Sequence, residues 1–510
     1  MDRRRFLITT SAALALLQDR AHSEERQRAG DFDPTEQGLR TLQGRMSQGL
    51  ASTTLVLAYL DRIARLDASG PAFRAVIALN PRALDAARAL DAERRRGKLR
   101  GPLHGIPILI KDNIATGDPL PTTAGSLALA RAFHAVDAPL VARLRAAGAI
   151  VLGKTNLSEW ANFRSTFSSS GWSAVGGQTG NAYDPARNPS GSSSGSATAT
   201  ALSLCAAAIG TETDGSILSP SAVNGLVGLK PTLGAVDGRG IVPLSPRQDV
   251  AGPMTRSVED AAILFEVLRA RPSTTRTAGD TPRIGYIPPG DGIRGEVAAR
   301  YTDAIDVWRR TGVDLIETAL PKGFREAGQH EFTALLYEFK DSLDRYLDAL
   351  DPGMSEARSL AQLIAFNRRH PDRELARFGQ ETFEMAQSKG PLTDPAYLEA
   401  VATLRRLVET EGLMPLFRDR KLDAVIAPGA GPANLIDPLL GDRGGLGASV
   451  IGSAAAIAGY PSLTLPIGLV KGLPVGMTVV AQRDADDRLL QLAGRFEREG
   501  RLRVPPTLRS

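Results

Sequence analysis

With 510 residues and 43% hydrophobic content, the chain can bury a large core without disulfides or a structural metal. Its net charge of +5 is the balance of 61 basic and 56 acidic residues. The basic ones are dispersed or stand beside acids, as in Arg368-Arg-His-Pro-Asp-Arg-Glu374, which describes a solvated surface and argues against a nucleic-acid partner. Cys205 is the only cysteine and sits in an apolar run, and no two of the five histidines have ligand spacing, so neither thiol chemistry nor a zinc site is expected.

In chain order, Arg3-Arg-Arg-Phe-Leu7, the mildly apolar Ile8 to Leu17 and the small and polar residues around Ala21-His-Ser23 match a twin-arginine-type signal peptide over residues 1–23. A polar linker follows over 24–35. This predicts an exported, periplasmic protein folded before export; the alternative is a frayed basic N-terminus on a cytoplasmic one. The apolar stretch is shorter than the roughly 20 residues a membrane span needs, so stable membrane insertion is not expected.

Leu39, Leu42, Met46 and Leu50, then Leu57, Leu60, Ile63 and Leu66, recur every three to four residues and predict amphipathic helices, with Ser52 to Thr54 as the cap of the second. Short strand-like runs follow: Ile106–Ile110, Ala149–Leu152, Leu226–Leu229, Ile284–Ile287, Ala424–Ala427, Leu463–Ile467 and Met477–Ala481. Helical patterns lie between them, so the fold class is α/β with a central sheet. Residues 165–200 are rich in Ser and Gly, but Trp172 and Tyr183 interrupt them and buried-looking elements flank them. A folded loop around a site is expected there rather than a tether. Residues 325–415 read as a charged helical insertion on the substrate side.

Three motifs compete for the chemistry. Gly148-Ala-Ile-Val-Leu-Gly-Lys-Thr155 formally satisfies the P-loop pattern, yet Ala-Ile-Val-Leu reads as the strand itself, where a P-loop needs its glycine-rich turn. Gly191-Ser-Ser-Ser-Gly195 satisfies G-x-S-x-G with Ser193 central, but Pro185 and Pro189 before it exclude the strand that a nucleophile elbow requires. Thr211-Glu-Thr-Asp-Gly-Ser216 follows an apolar run that reads as helical and forms a tight turn whose successive N–H groups suit an oxyanion. An acyl-transfer site without histidine needs another base. Lys111, at the end of the strand Ile106–Ile110, can serve if burial lowers its pKa; the alternative is a structural ion pair with Asp112 or another acid.

Gly101-Pro-Leu-His-Gly-Ile-Pro-Ile-Leu-Ile-Lys-Asp-Asn113, Gly153-Lys-Thr-Asn-Leu-Ser-Glu-Trp160, Gly191-Ser-Ser-Ser-Gly-Ser-Ala197, Gly225-Leu-Val-Gly-Leu-Lys-Pro-Thr232 and Gly472-Leu-Pro-Val-Gly-Met477 together resemble the amidase-signature enzymes in order and spacing. The resemblance runs from about residue 36 to 500. It implies a single large α/β/α domain with a central mixed sheet over residues 36–505, no cofactor, and a Ser-cisSer-Lys triad. Ser216 falls at the nucleophile, Ser192 at the cis-serine that shuttles protons and Lys111 at the base. Ser193 falls at the adjacent supporting serine, and the N–H groups of Thr213, Asp214, Gly215 and Ser216 at the oxyanion hole. Ser190, Ser194 and Asp214 replace glycines of the commonest family form, and Leu218 stands where arginine is common. With Ser158-Glu-Trp-Ala-Asn-Phe-Arg-Ser165 these departures resemble the peptide-amidase branch, which implies peptide C-terminal amides as substrates. Other acyl amides (fatty or aryl-alkyl), a non-catalytic binding protein and a transamidation subunit remain alternatives.

Overall fold

The structure is a computed structural model that describes residues 32–271, 281–290, 293, 295–442 and 449–507. The expected signal peptide, and the linker as far as residue 31, lie outside the described residues. Among the described residues no helix is long and apolar enough to cross a membrane.

Among the described residues eleven of thirteen strands form one mixed sheet. In chain order the strands are β1 (Val76–Leu79), β2 (Pro107–Lys111), β3 (Ile150–Thr155), β4 (Trp172–Ser173), β5 (Gly177–Gln178), β6 (Ala207–Glu212), β7 (Val227–Lys230), β8 (Val250–Thr255), β9 (Arg283–Tyr286), β10 (Asp314–Glu317), β11 (Ala424–Pro428), β12 (Ser462–Val470) and β13 (Leu473–Ala481). The sheet order is β1-β3-β2-β6-β8-β7-β12-β13-β11-β9-β10, with β4 and β5 as a separate small hairpin. β3, β2 and β6 run parallel, as do β11, β9 and β10, and the centre is antiparallel.

Alternation along the central strands divides two cores. Val475, Met477, Val479 and Ala481 of β13, with Ala424 and Ile426 of β11, join the core built with Tyr301, Trp308 and Leu489. Val480, Val425 and Ala427 face the opposite side, toward Ile451, Ala454 and Leu413. Because successive strand residues point to opposite faces, both faces are covered by helices, which gives the expected α/β/α layering. The helical segment from Gly323 to Arg420 adds a third cluster in which Leu336, Phe339, Leu343 and Phe383 pack against Trp160, Phe163 and Leu129.

Two local expectations change. The helix Ser52–Ile63 forms, but its start is not capped by its own Ser or Thr: Asp91 accepts the Ser52 N–H at 2.7 Å and the Thr53 N–H at 3.0 Å. A carboxylate suits the positive end of a helix and satisfies two amides that lack partners in the first turn. The apolar run before Thr211 is not helical: helix Ser194–Ala201 ends, and Ala207–Glu212 is β6, paired parallel to β2 with Ile110 opposite Ile209. Cys205 is buried at the turn between them, where burial pushes its thiol up to about 11.

The Ser/Gly-rich segment is folded, as expected. Ser169, Ser170, Trp172, Ser173 and Asn181 are buried, and the helix Ser194–Ala201 is buried at every position. Its small residues allow it to lie against the backbone of its neighbours. A Cβ at Gly195 would stand 2.2 Å from the Ala75 carbonyl oxygen and 2.5 Å from that of Asn156, so only glycine fits there.

Candidate active site

The site lies where the ends of β2 and β6 meet the loop before helix Ser194–Ala201. Parallel pairing of β2 and β6 sets Lys111 beside Thr211, and the buried Lys111 ammonium donates to Thr211 Oγ1 at 2.8 Å and to the Thr211 carbonyl oxygen at 3.2 Å. Its remaining direction points at Ser192 Oγ, 2.7 Å away. The peptide bond between Gly191 and Ser192 is cis, as the resemblance implies. Asn113 Nδ2 donates to the same Thr211 hydroxyl at 3.0 Å.

Burial pulls the Lys111 ammonium down to about 7, while the charges of Asp249 and Glu212 pull it back up. A lysine that would be protonated in water therefore spends much of its time neutral near pH 7, with a serine hydroxyl in hydrogen-bond contact. The alternative in which Lys111 pairs with Asp112 fails on geometry: Asp112 is turned to Lys154, 3.4 Å away, and to Thr123.

That pair also settles the P-loop pattern. Lys154 belongs to β3, is fully buried, and donates to the Ile114 carbonyl oxygen at 2.7 Å and Thr122 Oγ1 at 3.0 Å. Its donors are spent inside the protein, so none is free for a phosphate. Removing one partner of a buried pair leaves the other charge uncompensated. Lys154→Met is expected to lower stability by about 3–5 kcal/mol in urea unfolding, and ATP is expected to leave the melting temperature of the wild type unchanged.

Ser193 is likewise occupied. Its hydroxyl donates to the Thr211 carbonyl oxygen at 3.0 Å and accepts from the Thr211 N–H at 3.1 Å, and no strand precedes it. It ties the serine loop to β6, a supporting position rather than an elbow. The two serines that replace glycines have structural partners: Ser194 Oγ donates to the Ser190 carbonyl oxygen at 2.6 Å, and Ser190 Oγ donates to Ser219 Oγ at 2.8 Å.

Ser216 follows β6 after a tight turn in which Gly215 has φ 76°, a conformation glycine adopts freely. Its carbonyl accepts the Ser193 N–H at 3.2 Å, which brings the turn and the loop carrying Ser192 together. Ser216 is 8% exposed, while Lys111 and Ser192 are fully buried. Among the described residues the N–H groups of Thr213, Asp214, Gly215 and Ser216 make no hydrogen bond, whereas those of Ile217 and Leu218 both go to Glu212 Oε2, at 2.7 and 2.9 Å. A run of unengaged amides at a turn is a preorganised place for negative charge on oxygen.

Glu212 is a residue the sequence reading missed. Its carboxylate folds back over the turn and fixes the chain on the far side of Ser216. Thr213 is held as well, its hydroxyl donating to Asp249 Oδ1 at 2.6 Å. The carboxyl groups around this turn are buried close together: burial, aided by the charge of Glu212, raises Asp214, and burial, aided by that of Asp214, raises Glu331 above the usual carboxylate range. Glu331 accepts from Gln248 Nε2 at 2.7 Å and lies on the helix Gly323–Ala349, so the helical insertion does reach the site.

A buried lysine held against a serine hydroxyl, beside a second serine on a turn of free amides, is equipped for acyl transfer without a cofactor or histidine. The family model described as Amidase matches residues 54–490. The chain belongs to the amidase family and is an amide-hydrolysing enzyme. Within that family it is similar to the peptide amidase of Stenotrophomonas maltophilia in its native crystal structure, with 47% identity, a TM-score of 0.86, and 93% of this chain and 99% of that one covered. It is 37% identical over 482 residues to a probable amidase of Arabidopsis thaliana, covering 90% of this chain and 88% of that one. It is 33% identical over 513 residues to a glutamyl-tRNA(Gln) amidotransferase subunit of Salinispora arenicola, covering 93% of this chain and 100% of that one.

Proposed function

We propose that the enzyme hydrolyses the C-terminal amide of peptides, releasing ammonia, with Ser216 as nucleophile, Ser192 as proton shuttle and Lys111 as base. The observation that carries the mechanism is the 2.7 Å hydrogen bond between Lys111 and Ser192 in a setting that pulls the lysine to about 7. Neutral Lys111 takes the proton of Ser192 as Ser192 takes that of Ser216, and Ser216 Oγ adds to the amide carbonyl. The amides of residues 213–216 receive the oxyanion. As the tetrahedral adduct collapses, the C–N bond breaks, Ser192 passes its proton to the leaving nitrogen, and Lys111 returns one to Ser192. Ammonia leaves an ester on Ser216; water, deprotonated along the same route, releases the free acid and restores the serine.

The substrate reading is supported by the 47% identity to a peptide amidase. The likeness to an amidotransferase component favours a second reading, transamidation with partner subunits. Ammonia release from peptide C-terminal amides, aliphatic and aryl amides and glutamine separates the readings. Peptide amides are expected to be turned over fastest; a preference for another amide would overturn the substrate assignment, and glutaminase activity appearing only with partner subunits would favour transamidation. Export by a signal over residues 1–23 is proposed with it: fusion of that segment to a reporter should send the reporter to the periplasm, and Arg4→Lys with Arg5→Lys should keep it inside.

A further inference from the structure

Peptide planes decide where the unengaged amides of the Ser216 turn point. A trans peptide unit sets its C=O and N–H on opposite sides, so whatever holds a carbonyl aims the N–H of the next residue. Among the described residues the cis peptide bonds are Gly191–Ser192 and Gly431–Pro432, so the units of this turn are trans. In the unit joining Gly215 to Ser216, the Gly215 carbonyl accepts the Ser219 N–H at 2.8 Å, and the backbone itself fixes the Ser216 N–H. In the unit joining Thr213 to Asp214, the Thr213 carbonyl accepts instead from a side chain, Gln248 Nε2, at 3.3 Å. That hydrogen bond therefore aims the Asp214 N–H.

Gln248 is 1% exposed, and its other polar contacts are fixed as well. Nε2 also donates to Glu331 Oε1 at 2.7 Å, and Oε1 accepts from Arg247 Nη2 at 3.2 Å. Arg247 Nε donates to Glu338 Oε1 at 2.8 Å, and Ser245 Oγ donates to Glu338 Oε2. Glu331 and Glu338 lie on one face of the helix Gly323–Ala349. On the other side Asp249 accepts the Thr213 hydroxyl on one oxygen and the Leu244 and Ser245 N–H groups on the other. Residues 244–249 thus grip Thr213 while two carboxylates of the helix grip them. Tying this loop to the helix takes one hydrogen of the Gln248 amide; the second hydrogen is the one that meets the turn.

We propose that Gln248 is a positioning residue for the reaction: by holding the Thr213 carbonyl it turns the Asp214 N–H toward the oxyanion, and Glu331 of the helical insertion holds Gln248 in that pose. The inference rests on the proposed oxyanion role of the turn and not on which amide is hydrolysed. An amide aimed in this way gains most as the substrate oxygen takes up charge, so its loss is felt in the transition state more than in substrate binding.

Two variants separate aiming the turn from docking the helix. Gln248→Met removes both donors and leaves Glu331 buried without its partner, whereas Gln248→Met with Glu331→Met removes both polar groups and lets the helix dock by packing, an exchange that is close to neutral for stability. On the amide of the panel that the wild type hydrolyses fastest, Gln248→Met is expected to lower kcat by about tenfold or more with KM within about threefold of wild type. That is less than the roughly 10²- to 10³-fold lost when an oxyanion donor is removed outright. The double variant is expected to melt close to wild type and to keep the lowered kcat. A smaller fall in kcat overturns the proposal, and so does a double variant that regains wild-type kcat, since docking alone would then suffice. If only the double variant folds, it decides; if neither folds, the pair holds the fold rather than the turn and the proposal is overturned. Because the substrate is taken from the panel, a failed peptide-amide assignment leaves the result standing, and a failed nucleophile assignment shows separately as Ser216→Ala keeping its activity.

Discussion

Ser216→Ala is expected to lower kcat/KM on the preferred amide by on the order of 10⁴- to 10⁶-fold, the loss that follows when a nucleophile is removed and only binding and oxyanion stabilisation remain. Ser216 makes no side-chain hydrogen bond among the described residues, and its fixed contact is a backbone one, the carbonyl that accepts the Ser193 N–H. The substitution therefore removes an oxygen without disturbing the partners that hold the turn. Substrate affinity, read by calorimetry on the inactive variant, and the unfolding midpoint should both stay close to wild type. A variant that retains a tenth of the activity would place the nucleophile elsewhere.

Lys111→Ala is expected to cost on the order of 10²- to 10⁴-fold in kcat, the usual range for loss of general acid–base transfer. The pH dependence is the sharper signature. The proposed base must be neutral to act, and with its pKa pulled to about 7 by burial Lys111 is protonated below that value and neutral above it. The rate of the wild type should therefore rise with pH through about 7 and level off, whereas the residual rate of Lys111→Ala should lack that step. Lys111→Arg should not rescue, because a guanidinium stays protonated throughout. Neighbouring acids enter with the opposite requirement: Asp249, raised to about 6 by burial, is charged above that pH and then pulls Lys111 back up.

The long apolar runs of the sheet interior were legible because buried strands read as continuous Val, Ile and Leu segments. Seven such runs became β2, β3, β7, β9, β11, β12 and β13. β6 was not legible. Its Ala-Ala-Ile-Gly-Thr-Glu carries one β-branched aliphatic residue and continues a small-residue helix, and a short apolar run cannot be assigned from periodicity alone. β8 was hidden by Gly252 and Pro253, which usually punctuate strands; here a Cβ at Gly252 would meet the Leu229 carbonyl oxygen at 2.0 Å, so the glycine serves close strand packing.

Because β6 was not legible, neither were Thr211 and Glu212 as partners of the site. Thr211 reaches Lys111, and Glu212 reaches the amides of Ile217 and Leu218, only because β6 runs beside β2 and ends at the turn. Nothing local marks either residue. Lys111 and Ser192, 81 residues apart, could be paired only through resemblance to a family, since tertiary proximity at that separation leaves no periodic trace. The Ser/Gly-rich loop was legible as folded, because Trp172 and the flanking buried runs argued against a tether.

The most direct test of the account is the mass of the enzyme during turnover. With a peptide methyl ester, quenched in acid within the first turnovers, the wild type should carry one acyl group, and peptide mapping should find it on Ser216. Ser216→Ala should carry none. An acyl group on Ser192 or Ser193, or turnover by Ser216→Ala at a rate near that of the wild type, would contradict the assignment of the nucleophile and with it the proposed mechanism.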